Sequence, residues 1–352
     1  MKLNKNIQIT FDITSYCNRG CSHCSTNANT KNPKHFTLNL LSRLIKQIKR
    51  AGYTQVNFCF TGGGEPLLHP RLVELVDFSF NHLGGRLKSL SIVTSGFLPD
   101  ENQERTQLIG LLQRPYISKV SLALSFNLFN PKIPERFANT LSLIINSQKI
   151  LRRVAIKMSM GCNNFRDNFK VLENAFRQVE KQTSTEIDPF LVPLFSKLPE
   201  MFSSTVWSRE RYQDMQNRLF VCPCIYVISN KANWLRGIEL HPFSLVMQGR
   251  AKNMKNLPLY KYEFCPSVFV QANWFSNEIS ISEEGVFYPR CCFSTEGIEL
   301  GKLSSTPLPE VFRRKRQFES QILRLFLNDK RMYTPQTMCE ICKNFKETHF
   351  DF

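Results

Sequence analysis

The stretch IQITFDITSYCNRGCSHC, residues 7–24, joins a strand pattern to a group of three cysteines. Apolar and polar residues alternate over 7–13, a period of two that is typical of a β-strand. The cysteines follow in the spacing C-x3-C-x2-C, at Cys17, Cys21 and Cys24. Because a closed structural metal site takes four protein ligands, three thiols in one loop indicate a metal centre with one open position or a zinc site whose fourth ligand is distant in sequence.

From residue 7, strand patterns alternate with helical patterns up to about residue 195. Strands are predicted at 7–13, 56–60, 87–96, 119–126, 154–161 and 186–195, and helices at 38–51, 71–83, 133–151 and 165–181, with another after Pro99. The strands are nearly all apolar, which is typical of a parallel sheet covered by helices. With right-handed crossovers, the pattern predicts an α/β fold, a partial (β/α)6 barrel of parallel strands.

Polar and glycine-rich segments stand where these strands end. They are CNRGCSHC (17–24), GGGEP (62–66), TSG (94–96), SFN (125–127) and GCNN (161–164). Since parallel strands bring their carboxyl ends to one edge of the sheet, active sites form at that edge in such folds. We therefore expect these segments to meet in a single site.

After about residue 200 the alternation stops and a cysteine-bearing region follows. NEISISEEGVFYPRCCF (277–293) predicts a hairpin with Glu284–Gly285 at its turn, and a last helix is expected at about 309–327. We expect two domains, 1–200 and 201–352, of which the second is small and rich in cysteine.

The composition is that of a globular protein, with a net charge of +17, a pI near 9.5 and 12 cysteines. No apolar run approaches the roughly 18–20 residues that span a bilayer, and the N-terminus has no apolar signal region. These patterns predict a cytoplasmic protein without membrane contact, in which clustered thiols bind metal. Cys59 and Cys162 stand alone in apolar runs and are expected to be buried core thiols.

CNRGCSHC resembles the C-x3-C-x-Φ-C signature of radical S-adenosylmethionine (SAM) enzymes, with His23 in the aromatic position. GGGEP resembles the GGEP motif of that superfamily, and TSG resembles its ribose-side motif. The resemblance covers about residues 7–200. It implies that Cys17, Cys21 and Cys24 ligate a [4Fe–4S] cluster whose fourth iron binds SAM.

The resemblance also implies contacts to SAM. His23 would pack near the adenine, and Gly63, Gly64 and Glu65 would meet the methionine amino group. The contacts implied near the ribose, the carboxylate or the adenine are Ser95, Ser125 and Asn163. In the implied reaction, the reduced cluster passes one electron to SAM, and the 5′-deoxyadenosyl radical that results abstracts hydrogen from the substrate.

The hairpin sequence ISEEGVFYPRCC and the later CEIC resemble the Twitch and SPASM auxiliary-cluster domains of the same superfamily. The resemblance implies a second [4Fe–4S] cluster. Its expected ligands are Cys265, Cys291, Cys339 and Cys342, and Cys292 is an alternative to Cys291. A structural zinc ion on the same thiols remains open, because four thiolates suit zinc and iron–sulfur equally. A two-cluster arrangement that uses Cys222 and Cys224 also remains open.

The expected function is an oxidative or cross-linking modification of a ribosomally made peptide. One alternative is a dehydrogenase of a sugar or cyclitol-type metabolite. The other is a nucleic-acid-binding iron–sulfur protein, for which the basic run at 313–316 would be the footprint, although such a run is more typical of a solvated helix face. The expected partners are a peptide or small-molecule substrate and a one-electron reductase of flavodoxin or ferredoxin type, and nucleic acid is not favoured.

Overall fold

A computed structural model describes most of the first half of the chain and parts of the second. The described residues are 6–147 except 23, 25, 27, 29–30, 62, 127–129 and 131, together with 149, 151–160, 165–188, 206–207, 224–229, 234–244, 261–262, 277–289 and 298–328. No helix among them is long and apolar enough to cross a bilayer.

Strands and helices alternate from residue 6 to residue 183, as the sequence predicts. Strands β1 to β5 are Asn6–Asp12, Gln55–Thr61, Leu87–Thr94, Val120–Phe126 and Arg153–Met160. Helices α1 to α5 are Leu38–Arg50, Leu72–Leu83, Asn102–Leu112, Ile133–Asn146 and Phe165–Thr183. Short 3₁₀ turns occupy Pro66–Leu68, Gly84–Arg86 and Ile117–Lys119.

The second half contributes eight further described strands and one long helix. Strands β6 to β13 are Glu186–Asp188, Val206–Trp207, Cys224–Ser229, Trp234–Ser244, Lys261–Tyr262, Glu278–Ile281, Val286–Tyr288 and Gly301–Lys302. Helix α6 is Leu308–Asn328, which confirms the helix expected at about 309–327.

One sheet contains eleven of these strands, in the order β13-β12-β11-β1-β2-β3-β4-β5-β9-β8-β6. The pairings from β11 through β1 to β5 and on to β9 are all parallel. The chain therefore has the predicted α/β fold with a mainly parallel sheet. Strands β7 and β10 form a separate parallel pair.

The neighbour of β5 differs from the prediction. A sixth parallel strand was expected from 186–195, but β6 lies at the far edge of the sheet and pairs antiparallel with β8. Strand β9 takes the parallel position beside β5 instead. The prediction was wrong because apolar periodicity identifies a strand but not its neighbour, and residues 189–195 lie outside the described part of the chain.

The predicted hairpin is present, and it joins the N-terminal sheet. Strands β11 and β12 are antiparallel, and the Gly285 amide donates to the Ser282 carbonyl at 2.9 Å in the turn. Gly285 has φ +79°, which a residue with a side chain rarely adopts. Strand β11 then pairs parallel with β1, so residues more than 260 positions apart are neighbours. The domain boundary at residue 200 stays a prediction.

Aromatic residues form the centre of the core on the helix-covered face of the sheet. The Phe11 ring meets the rings of Phe36, Phe58 and Phe60 edge to face, with centroids 4.9–5.4 Å apart. Such aromatic pairs add stability beyond the area they bury. The same core includes Ile279 of β11, so the hairpin and the N-terminal strands share one hydrophobic interior.

Candidate functional site

The three cysteines lie in the loop that follows β1, at the carboxyl edge of the parallel sheet. Cys17, Cys21 and Cys24 are each partly exposed. Gly20 has φ +64°, which lets the chain turn just before Cys21. The Cys24 amide donates to the Cys21 carbonyl at 3.3 Å, which closes the second turn of the loop.

Three thiols in one loop can serve as ligands of an iron–sulfur cluster. A [4Fe–4S] cluster takes one thiolate for each protein-bound iron. Burial and then the charge of Glu65 raise the pKa of the Cys17 thiol to about 11, so iron has to displace its proton.

The GGGEP loop packs directly on the backbone that leads into the cysteines. A Cβ atom added to Gly63 would lie 2.4 Å from the Thr14 carbonyl oxygen, and one added to Gly64 would lie 2.1 Å from that of Tyr16. The Glu65 amide donates to the same Tyr16 oxygen at 2.9 Å. Only glycine permits this approach, so the two loops are held together by their backbones.

The Glu65 side chain ties the GGGEP loop to the end of β3. Its buried carboxylate accepts hydrogen bonds from the Thr94 hydroxyl (2.5 Å), the Ser95 amide (2.9 Å), the Ser95 hydroxyl (2.7 Å) and the Leu67 amide (3.2 Å). Four donors on one carboxylate form a well-satisfied buried network. Glu65 and Ser95, two residues predicted to contact SAM, are therefore brought together.

The TSG segment is fixed from the other side by α4. Gly96 has φ +81°, and a Cβ atom there would lie 2.5 Å from the Thr140 hydroxyl and 2.8 Å from the Arg136 carbonyl oxygen. The Gly96 amide donates to the Thr94 hydroxyl at 2.9 Å. The turn after β3 therefore fits only with glycine at its third position.

Arg19, inside the cysteine loop, reaches across to the same turn. Its Nε donates to the Ser95 hydroxyl at 3.2 Å and one terminal nitrogen donates to the Gly96 carbonyl at 2.7 Å. Its guanidinium also pairs with Glu101 at 2.6 Å and with Glu104. The cysteine loop, the GGGEP loop and the TSG turn thus form one connected unit.

Arg136, on α4, is a buried cation with unused donors beside this unit. The residue is 3% exposed, and its Nε and Nη1 atoms have no hydrogen-bond partner among the described residues. Burial lowers its pKa to about 10, while the charges of Glu65, Cys21 and Cys17 act in the opposite direction. Because a buried guanidinium is costly without a partner, this position suits an anionic group of a bound ligand.

The face of the sheet opposite the core carries small polar residues. Thr10, Cys59 and Ser91 are in register on adjacent strands, and Ser125 is in register with Lys157 further along. Cys59 is partly exposed there, so the expectation of a buried core thiol was wrong for this residue. The reason is that strand alternation places residue 59 on the face opposite Phe58 and Phe60.

Several predicted site residues lie outside the described residues. For the SAM contacts these are His23 and Asn163, and the lone Cys162 belongs with them. For the auxiliary centre they are Cys265, Cys291, Cys292, Cys339 and Cys342. The predicted SAM contacts of Gly63, Gly64, Glu65, Ser95 and Ser125 and the ligand roles of the cysteines stay predictions.

Sequence reasoning missed the charged and amide residues that hold the loops. Asn130, after β4, donates to the Arg19 carbonyl at 3.0 Å and lies 3.7 Å from the Cys21 sulfur. Arg19, Glu101, Glu104 and Arg136 were also missed. The only signal in the sequence was their position, since all of them follow a strand end or lie at the start of the next helix. This signal is weak, because charged residues at such positions are usually exposed to solvent.

Comparison with known proteins agrees with this geometry. Residues 11–179 match the family model of the Radical SAM superfamily. The mycofactocin maturase MftC of Mycobacterium tuberculosis is 31% identical over 80 residues, 23% of this chain and 20% of that protein. A probable GTP 3′,8-cyclase of Methanococcus aeolicus is 23% identical over 173 residues, 49% of this chain and 52% of that protein. The matches therefore span between about a fifth and about half of these relatives.

Two solved structures share the fold. Streptococcus suis SuiB, bound to its precursor peptide SuiA, aligns with a TM-score of 0.53 at 12% identity, over 95% of this chain and 70% of that one. The anSMEcpe structure with bound AdoMet and the Cp18Cys peptide aligns with a TM-score of 0.50 at 15% identity, over 96% of this chain and 88% of that one. Residues 11–179 of the chain therefore match a radical SAM domain, a family whose cofactors are a [4Fe–4S] cluster and SAM.

Proposed function

We propose that this protein is a radical SAM enzyme that makes an oxidative or cross-linking change in a peptide. One observation carries the proposal. The cysteine loop, the GGGEP loop and the TSG turn, which are separate in sequence, form one hydrogen-bonded unit through Arg19, Glu65 and Ser95. Such an arrangement at the carboxyl edge of a parallel sheet is that of an enzyme site rather than of a structural metal knot.

The chain's own residues hold and orient the cofactors. Cys17, Cys21 and Cys24 would hold the cluster, and the backbone of the GGGEP loop would meet the methionine amino group. The unused donors of Arg136 suit the SAM carboxylate. When bound, the two cofactors supply hydrogen-atom abstraction by a carbon radical, and the protein contributes position and exclusion of water.

The peptide substrate class is supported by the relatives. MftC is named a maturase, SuiB was solved with a precursor peptide, and anSMEcpe was solved with a peptide beside AdoMet. A second cluster on Cys265, Cys291, Cys339 and Cys342, with Cys292 as the rival ligand, is part of the proposal. So is a one-electron reductase of flavodoxin or ferredoxin type as the electron donor.

The test is anaerobic reconstitution with iron and sulfide, followed by reduction with dithionite in the presence of SAM. We expect 5′-deoxyadenosine by chromatography and mass spectrometry, and its loss in Cys17→Ala. Short peptides encoded beside the gene are then added. A substrate mass lower by about two hydrogens supports an oxidative change, and 5′-deoxyadenosine that persists in Cys17→Ala would refute the cysteine assignment.

The auxiliary centre has its own measurement. Two clusters predict about eight irons per chain, whereas one cluster and a structural zinc predict about four irons and one zinc. Cys339→Ala and Cys342→Ala should remove about four irons while Cys24→Ala removes the other four. Metal contents that do not divide in this way contradict the assignment.

A second candidate is action on a small metabolite. The match to a probable GTP 3′,8-cyclase favours it, because that match covers about half of this chain. The peptide candidate predicts that SAM cleavage rises when the peptide is added. The metabolite candidate predicts no such rise, and a rise with nucleotides or sugars instead.

A further inference from the structure

We propose that Arg19 is a positioning residue that locks the cysteine loop to the turn after β3 and to the start of α3. The inference rests on the proposed function, since it concerns how that site is kept in one geometry. Arg19 stands between the first two cysteines, so its side chain sets where that segment of the loop lies. It then acts on the cluster and on SAM through the loops that it joins, without touching the reacting atoms itself.

The guanidinium uses all three of its nitrogens. Its side chain is 2% exposed. Nε donates to the Ser95 hydroxyl, Nη1 donates to both carboxylate oxygens of Glu101 at 2.6 and 2.7 Å, and Nη2 donates to the Gly96 carbonyl and to Glu104. A planar fork with five N–H donors can satisfy partners in these several directions, whereas the compact ammonium of lysine cannot.

The acidic partners come from the start of α3. Glu101 is its N-cap residue and Glu104 lies in its first turn, where negative charge also interacts favourably with the helix dipole. The Glu104 side chain is fully buried, and its second oxygen has no hydrogen-bond partner among the described residues. Arg19 therefore supplies the positive charge that this buried carboxylate requires.

The backbone of Arg19 is held as well as its side chain. The Asn130 amide donates to the Arg19 carbonyl at 3.0 Å, and the same amide nitrogen lies 3.7 Å from the Cys21 sulfur. On the other side, the Ser95 hydroxyl that accepts from Arg19 donates to Glu65. A continuous path of contacts therefore runs from the cysteine loop to the GGGEP loop, and Arg19 is its middle member.

The experiment compares Arg19→Lys, Arg19→Met and Glu101→Gln with Arg177→Met. The control removes an exposed arginine that pairs with Glu180 on α5, away from the site. In the chain without metal, the first readout is the rate at which iodoacetamide alkylates each of Cys17, Cys21 and Cys24, followed by peptide mapping, together with Tm. In the reconstituted enzyme, the second readout is the change that SAM causes in the EPR spectrum of the reduced cluster, with KM for SAM and kcat.

We expect both Arg19 variants to alkylate about tenfold faster at Cys17 and Cys21, and to lose about 10- to 100-fold in affinity for iron or SAM. Glu101→Gln keeps one acceptor oxygen for Arg19. Its alkylation rates and its affinities should therefore lie between those of the Arg19 variants and those of the control. The KM for SAM should rise more than kcat falls, and the EPR response to SAM should shrink. A purely structural role would lower Tm and leave the alkylation pattern and the EPR response of the folded fraction unchanged.

Alkylation rates and EPR responses equal to those of Arg177→Met would overturn the inference. If Arg19→Met does not fold, Arg19→Lys and Glu101→Gln decide the question by the same readouts. The alkylation measurement needs no radical chemistry. A wild-type protein that does not cleave SAM would therefore refute the proposed function, while the thiol reactivities would still show whether Arg19 positions the loop.

Discussion

Gly64 sets the distance between the cysteine loop and the GGGEP loop. Its Cα faces the Tyr16 carbonyl so closely that any side chain would overlap the backbone. Backbone atoms cannot rotate away as a flexible side chain can, so relief requires the two loops to separate. This residue therefore matters for packing between loops, in addition to any contact with SAM.

Gly64→Ala should destabilise the chain and disorder the site. We expect a loss of about 1–3 kcal/mol in the free energy of unfolding, as for other overpacked positions, and a lower iron content after reconstitution. Gly85→Ala is the matched control, because a Cβ atom there meets nothing within 4 Å. Equal midpoints of urea unfolding and equal iron contents in the two variants would contradict the assignment.

Asp12, the last residue of β1, is a buried acid that the proposed chemistry does not use. Burial, and then the negative charge of Glu283 in the hairpin turn, raise the pKa of its carboxyl from 3.8 to about 8. The folded chain therefore keeps a proton on Asp12 at pH 7, and the unfolded chain does not. Between these two pKa values the folded state binds more protons, so stability falls as pH rises.

Asp12→Asn should remove this cost. The gain in the free energy of unfolding over wild type should grow by about 1.4 kcal/mol per pH unit between about pH 5 and pH 7, to an upper limit of about 4 kcal/mol at pH 7. Urea unfolding of both chains without metal, at several pH values, measures this difference. A gain that stays constant over this pH range would show that Asp12 does not titrate in the folded state as stated.

For individual residues, the sequence predicts the motif positions but not the side chains that hold the motif loops in place. Cysteine spacing and glycine runs indicate chemistry by themselves, because few other roles need them. Arg19 and Glu104 look like ordinary surface charges, since their pairing depends on a contact between positions 85 residues apart. Strand-end position is a weak signal for such residues, and burial is not visible in a single sequence.

Helix α6 is attached to α1 through the side chain of Gln47. The Gln47 amide donates to the carbonyls of Leu303 and Thr306 at 3.2 and 3.4 Å, and its oxygen accepts from the Leu308 amide at 2.8 Å. Leu308 is the first residue of α6, so Gln47 satisfies one of the amides that a helix start leaves unpaired. The ring of Tyr53 also contacts that of Phe312, with centroids 6.0 Å apart.

Gln47→Ala should weaken this joint by about 1–3 kcal/mol, because partly buried backbone groups lose their partners. Gln47→Glu should cost less, since it keeps the acceptor for the Leu308 amide and places negative charge at a helix start. Amide hydrogen exchange at the first turn of α6 and urea unfolding measure both effects. Lys46→Ala, an exposed neighbour on α1, is the control, and a Gln47→Ala chain as stable as this control would contradict the assignment.

The alternation of five strands with five helices follows from the sequence because each segment has its own period. The pairings beyond β5 do not, because the apolar pattern from residue 186 predicts a strand beside β5, whereas no strand is predicted at β9, which takes that place. The same holds for the hairpin, whose turn is readable in Glu284–Gly285 but whose partner β1 is not. Local patterns therefore predict elements, and long-range pairing decides their order.

For the whole molecule, β11 covers the side of β1 that would otherwise be a sheet edge. A parallel strand with unpaired amides and carbonyls is a template for association with other chains. Ile279 and Ile281 are fully buried, so the cover is apolar as well as hydrogen-bonded. The hairpin is thus required by the N-terminal strands, whichever domain it is assigned to.

A chain truncated after residue 276 should therefore aggregate, while one truncated after residue 328 should keep the oligomeric state of the full chain. The longer fragment keeps β11, β12, β13 and α6 and lacks only residues 329–352. Light scattering and gel filtration of the two fragments, expressed in parallel, measure the difference. A soluble, monomeric 1–276 fragment would show that β1 does not need its C-terminal neighbour.

The pairing of β1 with β11 also has a consequence for how the chain is made. Gln8 and Glu278 are 270 positions apart, and at about 5–20 residues per second the ribosome needs roughly 15–55 s to travel between them. During that time β1 lacks its neighbour β11, although the helices and strands that follow β1 in the sequence can already form. Chaperones that bind nascent chains can act during this interval. Iron that is loaded at this stage would bind while β1 still lacks its neighbour β11.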